Sequence, residues 1–320
     1  MAQHRAPRSR SIQDMSIESI LADAGGANRI VIRTLALSAT AAIIGAAAFR
    51  RVVLESAHRS RVVTGEVDPL VAQTGMLAAA ALMVAAPWRI LGQADAFMSP
   101  GDSLMPVVGL VLQTTWGTAA AVQTGAALAA FIGFSAANRA ELWGWTLALG
   151  SAIVLAATPA WMGHAAATES RPMIAMGADI LHVAAAGSWA GGVIVLTVVL
   201  RRLSRQANGG TLAAELISRF RPLALTGASV LLATGVISSL FRLNTPADLV
   251  ESPYGVMLTA KVVLAGLAAI LGRQHSLTAA SRARTMGAGN VWRSIAAEAW
   301  IFIVVIAVSA LLSASPPPGD

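Results

Sequence analysis

Long apolar segments recur along the chain and are separated by short polar stretches. A helix rises about 1.5 Å per residue, so about 20 apolar residues cross a hydrocarbon layer about 30 Å thick. The pattern therefore predicts an all-α, polytopic membrane protein, a bundle of eight transmembrane helices. The predicted spans are residues 28–49, 67–88, 106–134, 142–161, 174–200, 222–242, 254–272 and 294–314.

The polar segments outside these spans predict the domain organisation. Residues 1–27 are polar and mixed in charge, and they lack the apolar core of a signal peptide, so we expect a polar N-terminal tail that is not cleaved. Residues 28–315 are expected to form the eight-helix transmembrane domain. Residues 316–320 are expected to form a short C-terminal tail.

Basic residues are distributed unevenly between the loops, and this gives the expected orientation. They concentrate after the first, third, fifth and seventh spans, whereas the alternate loops hold few of them and most of the remaining acids. Cytoplasmic loops are enriched in Lys and Arg, so both termini are expected to be extracytoplasmic. Four arginines at the N-terminal end oppose this orientation: Arg5, Arg8, Arg10 and Arg29.

Composition supports the membrane class and limits the chemistry. The chain is 56% hydrophobic and 12% charged, which excludes an ordinary soluble domain. Cysteine is absent, which excludes disulfides, thiolate metal sites and cysteine nucleophiles. The net charge of +7 comes mainly from arginines in short loops, so membrane lipid is the expected partner and nucleic acid is not. No nucleotide loop, nucleophile elbow or HExxH motif is present, and no enzymatic activity is expected.

Histidine, methionine and aspartate cluster in one stretch, Trp161–Gly192. His164 follows the fourth predicted span, whereas Asp179 and His182 lie about two turns into the fifth. Neutral imidazole and thioether groups suit Cu(I) and add no protein charge to the membrane. The predicted metal ligands are His164, His182, Met162, Met173 and Met176.

These residues also have simpler interpretations. His164 could be a solvated interfacial residue, and His182 could merely hydrogen-bond Asp179 one turn earlier. Asp179 could orient the imidazole of a metal-binding His182, or it could neutralise Lys261. Both roles remain open, and either makes Asp179 and Lys261 part of the site. Arg33 and Gln113 are expected at the same outer level of the membrane.

Several other residues are given structural roles. The tryptophans fall mostly near span ends and are expected to be interfacial anchors. His58 and His275 are expected in cytoplasmic loops, which leaves His164 and His182 as the pair that could instead ligate one haem. The inner half of the membrane is expected to hold few polar residues beyond Gln73, Gln123 and Glu298.

Five short motifs follow one another between residues 140 and 315. They are GHA at 163–165, DILHVAAAGSWAGG at 179–192, RFRPLAL at 219–225, TGV at 234–236 and SPYGVMLTAK at 252–261. In order and spacing they resemble the CopD family of copper-resistance membrane proteins. The first three spans fit this family only in hydropathy.

The resemblance implies a protein of the bacterial cytoplasmic membrane that takes part in copper uptake or tolerance, with functional weight on His164, Asp179, His182 and Lys261. It also implies a periplasmic copper chaperone of the CopC type. No such domain is fused here, so the chaperone is expected as a separate chain. We therefore expect a protein that accepts Cu(I) or Cu(II) at its extracytoplasmic face. The alternative is a haem-binding or structural accessory subunit of a larger membrane complex.

Overall fold

The computed structural model describes residues 25–60, 65–163, 171–243 and 245–315. Regular structure in these ranges is helical, and eight helices are long and apolar enough to cross a membrane, which confirms the predicted fold class. In chain order the helices are α1 (Ala27–Arg59), α2 (Val67–Ala96), α3 (Leu104–Gln113), α4 (Thr115–Asn138), α5 (Leu142–Met162), α6 (Pro172–Leu203), α7 (Gly209–Arg242), α8 (Asp248–Glu251), α9 (Pro253–Met286) and α10 (Gly289–Leu312). Of these, α3 and α8 are too short to span.

The third predicted span is divided into α3 and α4. The backbone of Thr114 is extended (φ −75°, ψ 161°), and its hydroxyl accepts a 3.0 Å hydrogen bond from the amide of Gly117. A Cβ atom on Gly117 would lie 2.0 Å from the carbonyl oxygen of Val111, so this tight junction requires glycine. Of the two helices, only α4 is long and apolar enough to cross a membrane, and hydropathy missed the break because both helices are apolar.

Other helices run past their predicted ends. The start of α7 is Gly209 rather than residue 222, α9 continues to Met286 rather than 272, and α2 continues to Ala96 rather than 88. The added turns carry polar residues, which lower hydropathy although arginine, glutamine and alanine favour helix. His275 therefore lies within α9 and not in a loop, which corrects the prediction.

Helix α1 is central, because it contacts α2, α5, α6 and α10. Its crossing with α6 depends on small residues. A Cβ atom on Gly191 would lie 1.8 Å from the carbonyl oxygen of Ala41, and one on Gly45 would lie 2.2 Å from the backbone of Gly191. Such close backbone approach is how membrane helices associate without a hydrophobic driving force between them.

The centre of α6 is π-helical at Gly187–Gly191 and contains Trp189. This indole is only 4% exposed and packs edge-on against the ring of Phe302, with 4.8 Å between ring centroids. Trp189 is therefore a core residue and not the interfacial anchor that its residue type suggested.

Candidate functional site

A cavity of about 400 Å³ lies where one end of all eight spans meets. Its walls come from the first turns of α1, α4, α6 and α9 and from the last turns of α2, α5, α7 and α10. These are the ends predicted to face the extracytoplasmic side. The charged side chains that line it are Arg29, Arg33, Arg89, Asp179, Arg242 and Lys261.

Asp179 links α6 to α7 at the cavity wall. Both of its carboxylate oxygens lie 3.3 Å from Nη2 of Arg242, and the hydroxyl of Ser238 donates to Oδ1 at 3.4 Å. Among the described residues, no hydrogen bond or ion pair joins Asp179 to His182 or Lys261. The partner of this carboxylate is therefore an arginine that neither predicted role included.

His182 lies one turn deeper on α6 and is half-buried. Its Nδ1 atom is 3.0 Å from the hydroxyl of Thr234 on α7, a residue that is 4% exposed. That hydroxyl donates to the carbonyl of Val230 at 2.7 Å, so its oxygen accepts the proton on Nδ1. In a neutral imidazole this contact places the proton on Nδ1 and the lone pair on Nε2, where it can bind a ligand.

The predicted methionine ligands lie in three different environments. Met162 lines the cavity, and its sulfur accepts a hydrogen bond from Nη2 of Arg89 at 3.4 Å. Met173 is 81% exposed at the start of α6, whereas Met176 is half-buried. His164 lies outside the described residues, and the complete ligand set stays a prediction.

Of the two polar residues expected beside Asp179 and Lys261, one reaches the site. Arg33 lines the cavity, and its Nη1 atom is buried without a hydrogen-bond partner. Gln113 is exposed at the end of α3 and is not part of the cavity wall. It was expected within a continuous third span, and the break at Thr114 removes it from that span.

Arg89 is a lining residue that the sequence analysis missed. Its guanidinium donates to Oε1 of Gln123 at 2.6 Å and lies 5.8 Å from the ring centre of Trp116. Hydropathy ended the second span one residue before Arg89, although an arginine next to an apolar span was a usable signal. Gln123 was predicted in the inner half and lies at the cavity, because α4 begins only at Thr115.

A second buried polar contact lies nearer the opposite end of the bundle. Nδ1 of His275 is 2.7 Å from Oε2 of Glu298, which is 3% exposed. His275 is about 21 Å further along α9 than Lys261. A Cβ atom on Gly272 would lie 3.0 Å from Glu298 and 3.9 Å from the indole of Trp189, so these side chains adjoin one another.

The described histidines do not form a haem-ligand pair. His58 contacts Asp68 at the opposite end of the bundle, and His275 contacts Glu298. Neither of these lies opposite His182, so haem has no support in the described part of the chain. In the same ranges, no group of three or more His, Asp or Glu side chains is placed to hold a metal ion.

Comparison with known proteins matches the chain to two family models. The model described as Copper resistance protein D matches residues 214–312. The model described as Copper resistance protein D-like, N-terminal domain matches residues 26–174, which include the first three spans. No solved structure is detectably similar to the chain.

Two curated relatives also match. The chain is 31% identical to the Copper transport protein CutJ of Bacillus subtilis (strain 168) over 257 residues, which cover 77% of this chain and 46% of the relative. It is 30% identical to the Copper resistance protein D of Pseudomonas syringae pv. tomato over 171 residues, which cover 49% of this chain and 52% of the relative. The chain thus spans about half the length of each.

Proposed function

The chain belongs to the copper resistance protein D family of multi-pass membrane proteins, and we propose that it accepts copper at its extracytoplasmic face and carries it into the membrane. The observation that carries this proposal is the His182–Thr234 contact, which lies one turn deeper on α6 than the cavity residue Asp179. Neither His182 nor Thr234 itself lines the cavity on which all eight spans converge. Their contact prepares one imidazole nitrogen for a ligand within an apolar bundle.

The donors available near this cavity suit a soft ion. Thr234 holds Nδ1 of His182, so Nε2 remains the coordinating atom. Met162 brings a thioether to the wall, and His164 follows it in the chain by two residues. We assign copper to His182, His164 and Met162, because imidazole and thioether bind Cu(I) well. Met173 and Met176 would collect the ion from the approach along α6.

A route toward the cytoplasmic side would pass the His275–Glu298 contact. Trp189 lies about two turns below His182 on α6 and adjoins Gly272, which itself adjoins Glu298. Polar groups inside an apolar bundle are costly and commonly mark an ion or proton path. The succession of these side chains, from His182 past Trp189 to Glu298, therefore supports the movement of copper through the bundle and not only its binding at one end.

The cellular setting belongs to the same proposal. We place residues 28–315 as one transmembrane domain in the bacterial cytoplasmic membrane, with both termini extracytoplasmic. The loop arginines support this orientation. The copper donor would then be a periplasmic chaperone of the CopC type, and other membrane-complex partners are compatible with this role.

Copper binding by the purified full chain tests the proposal. We expect His182→Ala to weaken Cu(I) binding at least tenfold in a chelator competition, and His164→Ala combined with it to abolish binding. His58→Ala is the matched control, because it removes an imidazole at the opposite end of the bundle. Wild-type affinity in the double variant would overturn the assignment.

Copper uptake into vesicles that contain the reconstituted full chain tests the transport step. We expect uptake by the wild type and a loss of uptake in the same double variant. Uptake that persists without both histidines would show that copper follows another route.

A further inference from the structure

The cavity has a charge imbalance that copper binding does not explain. Five cationic side chains line it, together with one carboxylate, Asp179. Two of the cations have carboxylate partners, because Arg242 pairs with Asp179 and Arg29 pairs with Asp95. Arg33, Arg89 and Lys261 remain around the same space.

None of these three side chains meets a carboxylate in the described part of the chain. Nη1 of Arg33 is buried without any hydrogen-bond partner. Arg89 donates only to neutral atoms, Oε1 of Gln123 and the sulfur of Met162. Lys261 forms no hydrogen bond or ion pair with another described residue, because the carboxylate of Asp179 contacts Arg242 instead.

Half-buried arginines at the opposite end of the bundle have carboxylate partners. Arg219 lies 2.6 Å from the carboxylate of Glu215, and Arg50 lies 3.1 Å from that of Asp68. The protein thus pairs both of these half-buried arginines with carboxylates. Leaving three cations unneutralised in an apolar bundle is costly, and this cost is removed if a bound anion completes the site.

We propose that the cavity binds a phosphate-type oxyanion through Arg33, Arg89 and Lys261. Guanidinium groups bind such oxyanions with paired N–H donors, and a lysine ammonium adds a compact positive charge. The volume of about 400 Å³ lies within the usual size of small-ligand sites. Tyr254 also lines the space. This proposal goes beyond copper binding and does not rest on it.

The phosphate group could come from inorganic phosphate or from the headgroup of an anionic phospholipid. Calorimetric titration of the full chain with inorganic phosphate, in nanodiscs of phosphatidylcholine, tests the first source. Native mass spectrometry of the chain with added phosphatidylglycerol tests the second, as one retained lipid per chain. Binding in either arm supports the proposal, and binding in neither arm overturns it.

Variants show whether the three cations hold the anion. We expect Arg33→Gln and Lys261→Gln each to raise the Kd for the ligand found at least tenfold. Arg139→Gln, which removes one charge from an exposed position at the opposite end, should leave it unchanged. If all three variants bound the ligand with equal Kd values, the proposed anion site would be wrong.

Thermal unfolding separates ligand binding from a structural role. Without ligand, Lys261→Gln should raise Tm, because it removes an unneutralised charge from the bundle. Added ligand should raise Tm for the wild type and not for this variant. A fall in Tm for ligand-free Lys261→Gln would indicate a structural cation and contradict the proposal.

Discussion

At the residue scale, Thr234 controls the orientation of the His182 imidazole. We expect Thr234→Val, which keeps the side-chain shape and removes the hydroxyl, to lower Cu(I) affinity about tenfold, because groups that orient metal-binding histidines are commonly worth 10–100-fold. Chelator competition on the purified protein measures this change. Thr226→Val is the matched control, since Thr226 is exposed on the same helix. Equal affinities for the two variants would remove Thr234 from the site.

At this scale, the sequence predicted which residues lie at the site better than it predicted which residues they contact. Asp179, Lys261 and Arg33 could be predicted to lie at one level, because a charged residue stands out within an apolar segment. Thr234 and Gln123 could not be predicted as partners. Threonine and glutamine occur widely in apolar helices, and only the rotation of two packed helices decides which of them meet.

At the element scale, the crossing of α1 and α6 depends on glycine. We expect Gly191→Ala to destabilise the protein by about 1–3 kcal/mol, because the added methyl would meet the backbone of Ala41 and force two helices apart. Thermal unfolding in detergent measures the effect.

The control for this prediction is Gly266→Ala on α9. A Cβ atom there meets no other atom within 4 Å, so alanine should be neutral or should stabilise the helix by up to about 1 kcal/mol. Similar destabilisation by both substitutions would mean that helix packing at Gly191 is not the cause.

Hydropathy predicted the number of spanning helices, and it was wrong about several of their ends. The junction at Thr114 depends on one extended residue and a glycine amide, a feature too local for an averaged pattern. The polar turns of α2 and α9 extend into regions where a single arginine or histidine lowers hydropathy without ending the helix. For this reason Arg89 and His275 were not predicted in helices.

At the scale of the whole molecule, the proposed copper route contains two levels of polar residues, one at His182 and one at the His275–Glu298 contact. We expect Glu298→Gln to slow copper uptake into vesicles at least fivefold and to leave Cu(I) affinity at the His182 end unchanged, because only the inner contact with His275 is altered. Uptake and equilibrium binding are measured on the same preparation.

Glu66→Gln is the control for this substitution, since Glu66 is an exposed carboxylate at the same end of the bundle. Unchanged uptake in Glu298→Gln would exclude the inner contact from the route. A parallel loss of binding would mean that the two levels are not independent.

The three unneutralised cations also bear on membrane energetics. A membrane potential that is negative inside pulls every cation inward, at about 2.3 kcal/mol per charge for each 100 mV. Fixed positive charge at a pore mouth opposes that pull, as it does where channels reject protons and other cations. The positive charge of Arg33, Arg89 and Lys261 would repel copper as well as sodium, potassium and protons, so an anion bound by these side chains would lower the electrostatic barrier to copper entry.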